Sequence, residues 1–153
     1  MQTFDCGSAQ YERDVARWIK NWVWNPRSEP GLEVVETIVA FDRDADNLLA
    51  GYGSWGFAEV PGRQRHLAIA WFGVDRRYQG LCDANGASVA GTIYATTEAA
   101  ARAHEEAEDG MPFTLVCHED NERGRRFWEG RGYRLINDAD AQIIDGVYHR
   151  FVR

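Results

Sequence analysis

Four groups of residues in this chain have types and spacings suited to chemistry. Imidazole exchanges protons near neutral pH, so His118, at the end of a predicted strand, and His66, at the start of another, are candidate general bases. The run His66 to Val74 holds no carboxylate, which leaves Glu59 and Glu36 as the nearest carboxylate alternatives. Gly86-Ala87-Ser88-Val89-Ala90 lies at a predicted helix start, where unpaired backbone N–H groups and the positive end of the helix dipole attract an anion such as phosphate. Asn121 suits the cap of a short helix in which Gly124, Phe127 and Trp128 share one face. Cys117 beside His118 resembles a nucleophile pair by adjacency alone, because neighbouring residues of a strand point to opposite faces.

The elements that must position these groups are legible as periodic runs. Residues 1–6 read as a short edge strand. From Ser8 the residues Tyr11, Val15, Trp18, Ile19, Trp22 and Val23 recur at helical spacing, with charged residues between them, until Asn25-Pro26 ends the helix. Leu32 to Asp42 and Leu48 to Val60 form a hairpin, the second strand kinked or bulged at Gly51, Gly53 and Gly56. The uncharged run His66 to Val74 reads as a strand buried on both faces, hence central. A polar loop from Asp75 to Gly86 leads to an alanine-dense helix, Ser88 to Ala107, closed by Asp109-Gly110. Pro112 to Cys117 is the next strand. Gly132 to Ile136, Gln142 to Ile144 and Val147 to Val152 close the sheet, the last two joined by a two-residue turn at Asp145-Gly146.

Composition bounds the function. The 153 residues suffice for one domain, 1–153, with a single core. The 17 Lys and Arg against 24 Asp and Glu give a net charge of -7, which repels phosphate backbones and argues against nucleic acid as a partner. Cys6, Cys82 and Cys117 match neither a metal-ligand spacing nor a disulfide framework, so no metal is expected and a reducing cytoplasm fits. The start carries no secretory pattern, and no apolar run is long enough to span a membrane. Of the tryptophans, Trp18, Trp22 and Trp71 read as core, whereas Trp24 and Trp55 are pocket candidates.

The spacing Asn-x-x-Gly-x-x-Phe-Trp-Glu-x-x-Gly-Tyr, Asn121 to Tyr133, resembles a signature of the GNAT N-acetyltransferase superfamily, usually Asn-x-x-Ala-x-x-Phe/Leu-Tyr-Glu-Lys-x-Gly-Phe. Val74 to Gly80 resembles the opening of that family's acyl-CoA signature, a central strand ending in Val before Gln/Arg-x-x-Gly-x-Gly/Ala. Two registers continue it. One takes Gln79 to Ala84 as the phosphate loop, with Cys82 and Asp83 at ill-suited positions. The other takes Asn85 to Ala90 after a lengthened loop, and is favoured because it turns Val89, Ile93 and Thr97 inward.

The resemblance implies an α+β fold: a mixed, strongly twisted sheet of six to seven strands, flanked by helices on both faces. It also implies a split between the strands His66 to Val74 and Phe113 to Cys117 that receives acetyl-CoA as co-substrate. Backbone groups of Phe72, Gly73 and Val74 would line the pantetheine arm, and an amide near Val74 would polarise the thioester carbonyl. Gly86, Ala87, Ser88, Val89 and Ala90 would hold the pyrophosphate, with Gln79 and Gly80 as supporting wall. Arg76 and Arg77 read as a solvated turn, or as contacts to the CoA phosphates. Asn121, Phe127 and Trp128 would complete the donor site.

Trp128 stands where the family commonly has a Tyr able to protonate the departing thiolate; indole N–H is no usable acid, but a thiolate leaves readily. The implied reaction is acetylation of a primary amine on a small molecule or peptide by direct attack, with His118, His66 or Glu59 as base. The alternative is a module of this fold that binds acyl-CoA without transferring it. The sequence leaves the acceptor and any homodimer open.

Overall fold

A computed structural model describes residues 3–22, 31–59, 64–136, 142–143 and 148–153. Helix α1 (Gln10–Trp22) precedes strands β1 (Leu32–Asp42), β2 (Leu48–Ala58) and β3 (His66–Val74). A 3-10 turn (Arg76–Tyr78) leads to α2 (Val89–Arg102), β4 (Phe113–His118) and α3 (Glu122–Glu129), and then to β5 (Arg134–Leu135), β6 (Gln142–Ile143) and β7 (Tyr148–Val152). The seven strands form one mixed sheet of order β1-β2-β3-β4-β7-β5, with β6 also on β7. β3 and β4 are the parallel pair, and the other pairings are antiparallel.

Two apolar clusters lie on opposite faces, because β2 alternates side chains between them. Tyr52 packs with Phe4, Cys6, Ala16, Trp18 and Ile19 beneath α1. A Cβ on the next residue, Gly53, would meet Thr97 of α2. Trp55 and Phe57 continue that second face in a cluster with Leu67, Ile69, Tyr94, Phe113, Leu115 and Trp128. Gly51 serves the same docking, since a Cβ there would stand 2.6 Å from Ile93 Cδ1 and 2.7 Å from the Gly73 carbonyl. Of the three glycines that sequence alone read as kinks or bulges, Gly51 and Gly53 thus let α2 approach the sheet, whereas Gly56 lies against the Glu33 backbone of β1; the strand is bulged beside Gly51, where Ala50 has no partner.

One extra residue in β3 reorganises the centre of the sheet. Trp55 pairs with Ile69 and Ser54 with Trp71, so Ala70 is a bulge. Side-chain parity therefore inverts there. Leu67 and Ile69 face α2 and α3, and so does Phe72, whereas Trp71 turns to the α1 face and stacks on Trp18 at 5.5 Å. The β3–β4 ladder ends at the same level, its last pair being Ile69 with Leu115. Beyond it the two strands part.

Several boundaries differ from those read in the sequence. Residues 3–6 are not a strand: Phe4 and Cys6 are buried, while Asp5 N–H donates to Asp75 Oδ2 (2.9 Å) and Asp5 O accepts from Arg76 N–H (2.6 Å). β2 stops at Ala58, and α2 stops at Arg102 rather than Ala107. Just past that end the His104 ring sits edge-on to Trp55 and Phe57 at 5.3 and 5.6 Å, and its Nδ1 accepts from Glu106 N–H. Trp55 is core, not pocket, being 1% exposed with its indole N–H on Glu36 at 3.2 Å. Trp24, the Asn25-Pro26 stop, Val60 and the Asp145-Gly146 turn lie outside the described residues.

Asp75 closes this arrangement. Its fully buried carboxylate accepts from Asp5 N–H, Arg77 N–H and, at 2.7 and 2.8 Å, the Arg77 guanidinium. Burial alone would raise its pKa, but the Arg77 and Asp5 bonds outweigh it and hold the carboxyl below its usual range. A pKa lower in the folded than the unfolded state stabilises above the ordinary carboxylate range, and that contribution disappears as pH falls through the folded value. Asp75→Asn should therefore cost about 2 kcal/mol near neutral pH, the scale of a charge-assisted hydrogen bond left unmade. Urea titrations at stepped pH should show the gap from wild type closing as the medium is acidified below about pH 4.

Candidate active site

Beyond Ile69 and Leu115 the diverging ends of β3 and β4 are bridged by α3. Asn121 caps that helix, its Oδ1 accepting from Gly124 N–H at 2.9 Å. The cap brings Phe127 and Trp128 against β3. Phe72 stacks on Phe127 at 5.6 Å and meets Trp128 edge-on at 5.2 Å. Trp128 itself is buried among Phe127, Tyr94 and Tyr133, so it serves as wall.

This aromatic wall ends in a cation. Arg131 Cζ lies 3.5 Å from the Phe127 ring centroid and 5.5 Å from that of Tyr94, in cation–π geometry. One of its terminal nitrogens is 2.9 Å from where a Cβ on Gly91 would stand, which sets the guanidinium against the first turn of α2. Burial lowers its pKa, and among the described residues no carboxylate pairs with it. A cation beside the positive end of a helix dipole is unfavourable by itself and becomes favourable once an anion lies between them. Sequence reading missed Arg131, whose position in Glu-Gly-Arg-Gly carries no distinguishing type.

The loop ahead of α2 is tightly closed. Val89 N–H donates to Leu81 O and Asp83 N–H to Ala87 O, flanking a Cys82–Ser88 bridge. Ser88 caps α2 by accepting from Gly91 N–H at 3.0 Å. Gly80 and Gly86 both have φ of +79°, a backbone twist that favours glycine. The Asp83 carboxylate, read from sequence as ill-suited to a phosphate loop, organises this one: Oδ1 accepts from Asn85 and Ala87 N–H, and Oδ2 from Thr92 Oγ1. The Thr92 bond, aided by these amides, holds its pKa below the usual range. Ala87, Val89 and Gly91 thus have acceptors already. Among the described residues, Ser88 and Ala90 carry the N–H groups of this turn without one.

Gln79 turns its amide inward instead, donating to Cys6 O (2.9 Å) and Val74 O (2.8 Å), and so pins the end of β3 to the N-terminal segment. The turn arginines both have acidic neighbours, Arg77 on Asp75 and Arg76 3.7 Å from Asp5.

The three candidate bases are not brought together. His118 ends β4, three residues past its last pair with β3, where its ring stacks on Tyr11 of α1 at 4.9 Å and 25°. Its Nδ1 accepts from Asp120 N–H at 3.2 Å, with Asp120 Oδ2 at 3.9 Å. A neutral ring in that contact carries its proton on Nε2. His66 and Glu59 stand at the opposite end of β3, where His66 pairs with Ala58. Eight residue steps of about 3.3 Å put His66 about 26 Å from Val74. Cys117 faces away from His118 into the core, its Sγ toward Asn121 O at 3.8 Å, and burial pushes its thiol up to about 11. Among the described residues no three His, Cys, Asp or Glu side chains are grouped to hold a metal ion.

No protein-family model matches this sequence, and no curated protein sequence does either. Solved structures do. AtaTR bound with acetyl-CoA matches with a TM-score of 0.60 at 14% identity, over 99% of this chain and 83% of that one. NAA60 of Arabidopsis thaliana, in complex with a bisubstrate analogue, matches at 0.59 and 15% identity, over 94% and 88%. A GNAT-family protein from Desulfovibrio desulfuricans matches at 0.58 and 16% identity, over 94% and 80%. The chain therefore has the GNAT fold, as the resemblance of Asn121 to Tyr133 implied.

The loop chemistry is testable without any ligand. Asp83→Ala removes the acceptor of the Asn85 and Ala87 amides while leaving Ser88 on Gly91. Hydrogen exchange should speed up at Asn85 and Ala87, and much less at Gly91.

Proposed function

We propose that this chain, as a single domain, transfers an acetyl group from acetyl-CoA to a primary amine of a small molecule or peptide. The observation that carries the reading is the split between β3 and β4, whose wall runs from the rings of Phe72 and Phe127 to the Arg131 guanidinium at the first turn of α2. An apolar wall ending in a cation that donates to the Phe127 carbonyl but meets no carboxylate among the described residues suits a ligand with an uncharged arm and an anionic end, which is the build of an acyl-CoA. Solved structures of this fold with acetyl-CoA or a bisubstrate analogue support the same donor.

In this reading the pantetheine arm lies along the backbone of Phe72, Gly73 and Val74, beside Asn121, Phe127 and Trp128. The pyrophosphate meets the Gly86 to Ala90 turn through Ser88 and Ala90 N–H and the Arg131 guanidinium, while Gln79 and Gly80 hold the loop in place. The acceptor nitrogen attacks the thioester carbonyl; the N–C bond forms, the C–S bond breaks, and CoA departs as thiolate. The attacking amine gives up its proton through water to His118, the one candidate base at the split. Its ring would then trade the 3.2 Å contact with Asp120 N–H for attraction to the Asp120 carboxylate. Among the described residues no helix is long and apolar enough to cross a membrane. The free cysteines fit a reducing cytoplasm. A second reading, acyl-CoA binding without transfer, draws on Trp128 in the Tyr slot and on the carboxylate of Asp83 inside the loop.

Acetyl-CoA should raise the melting temperature, since it binds the folded state alone. Arg131→Ala should weaken that binding about tenfold, a loss of roughly 1.4 kcal/mol. Ser88→Asp should weaken it far more than Cys82→Asp. No thermal shift at millimolar acetyl-CoA, or equal losses in the last pair, would count against this donor site. Transfer itself is read from CoA thiol release over a panel of amines and peptides, and its absence with every acceptor leaves the binding reading. Where transfer occurs, Trp128→Phe should keep the maximal rate within about tenfold. A thousandfold loss with acetyl-CoA affinity intact would give the indole a chemical role.

A further inference from the structure

The base proposed above stands on a contact that neither signature contains. Tyr11 belongs to α1, a helix outside both sequence signatures, and its ring lies 4.9 Å from that of His118 at 25°. The Asp120 N–H holds the Nδ1 edge of the imidazole, and Tyr11 covers one of its faces. Two constraints of this kind set both the plane of the ring and its rotation within the plane.

Tyr11 is itself anchored. Four residues along the same face of α1, the Val15 carbonyl accepts from the buried Tyr52 hydroxyl at 2.8 Å, which fastens the helix to β2. Glu12 caps the helix start by accepting from Ala9 N–H at 2.8 Å, and its other oxygen lies 3.7 Å from Arg123 at the start of α3. The helix that carries Tyr11 is thus tied to the helix that follows His118. Burial, followed by Glu12, raises the Tyr11 hydroxyl's pKa, so the ring stays neutral and acts through its face.

We propose that Tyr11 is the positioning residue for His118, holding the imidazole in the plane from which it takes the acceptor's proton; the inference rests on acetyl transfer with His118 as base. Only the ring face is required, so Tyr11→Phe should keep the rate within about twofold, whereas Tyr11→Ala should lower kcat about tenfold. The KM for acetyl-CoA should stay within about twofold in both, because the donor wall is on the other face of the sheet. In a His118→Ala background, Tyr11→Ala should change kcat less than about twofold, since nothing is left to position.

The contact has its own signature. The His118 imidazole proton resonances should lie upfield in wild type and Tyr11→Phe, under the Tyr ring current, and return to ordinary positions in Tyr11→Ala. Loss of rate by Tyr11→Ala that is equal with and without His118 would overturn the proposal. So would unmoved His118 resonances, or a parallel rise in acetyl-CoA KM. Wild-type protein that binds acetyl-CoA but acetylates nothing would overturn the transfer reading and this proposal together. Transfer that survives His118→Ala at full rate would overturn this proposal and the assignment of His118 as base, and leave acetyl transfer itself standing.

Discussion

The bulge at Ala70 is the constraint on which the remaining architecture depends. A strand's side chains alternate with period two, so one unpaired residue exchanges the two faces for everything after it. Before the bulge, Leu67 and Ile69 belong to the α2 and α3 cluster. After it, Phe72 takes over that face, and Trp71 goes to Trp18 beneath α1. Without the extra residue, the larger indole would be driven against Phe127 and Trp128. The same irregularity comes where β3 leaves β4, and a bulge bends its strand and increases local twist. Opening of the split and choice of its lining side chain are therefore one structural event.

A strand that bends away from its neighbour needs something else to hold its end, and here buried polar groups do so. Past Val74 the chain is fixed by the Asp75 carboxylate on Asp5 and Arg77 and by the Gln79 amide on Cys6 and Val74. Both partners include the N-terminal segment, whose Phe4 and Cys6 are buried beside α1. The knot that stabilises the open edge thus also sets where α1 begins. That start decides where Tyr11 stands relative to His118, so a buried carboxylate on one side of the split bears on ring placement on the other.

Much of this was legible in sequence where local pattern and burial agree. β1 and β3 have the bounds that their β-branched and uncharged runs imply, and Asn121 caps α3 as its type predicts. The signature from Asn121 to Tyr133 carried the fold. What was not legible depends on tertiary register. Ala70 is followed by two aromatic residues, Trp71 and Phe72, and nothing in their types says which faces which helix. Trp55 near a predicted bulge looked like a pocket lining, yet Gly51 and Gly53 on the same face admit α2, and Trp55 lies in the core beneath it. His66 and Glu59 were plausible bases by type, but strand length carries them to the wrong end of β3. Tyr11 and Arg131 matter only through partners more than a hundred and about forty residues away, His118 and Gly91, which no periodicity discloses.

The loop before α2 sets two charges of opposite sign against a prospective pyrophosphate, and their surroundings decide between them. Asp83 is half-buried on that loop but its hydrogen bonds are open to solvent, so its repulsion is screened by water and, beyond about 8 Å at physiological ionic strength, by salt. Its carboxylate is also bonded to two amides and a hydroxyl, which spread its charge into the loop. Arg131 is partly desolvated over Phe127 and Tyr94, where a charge keeps more of its Coulomb reach than in bulk water. The α2 dipole adds to the same side, with Ser88 and Ala90 presenting N–H groups. The less screened attraction outweighs the more screened repulsion. In the proposed donor site, Asp83 would then act on the loop's shape and Arg131 on the pyrophosphate.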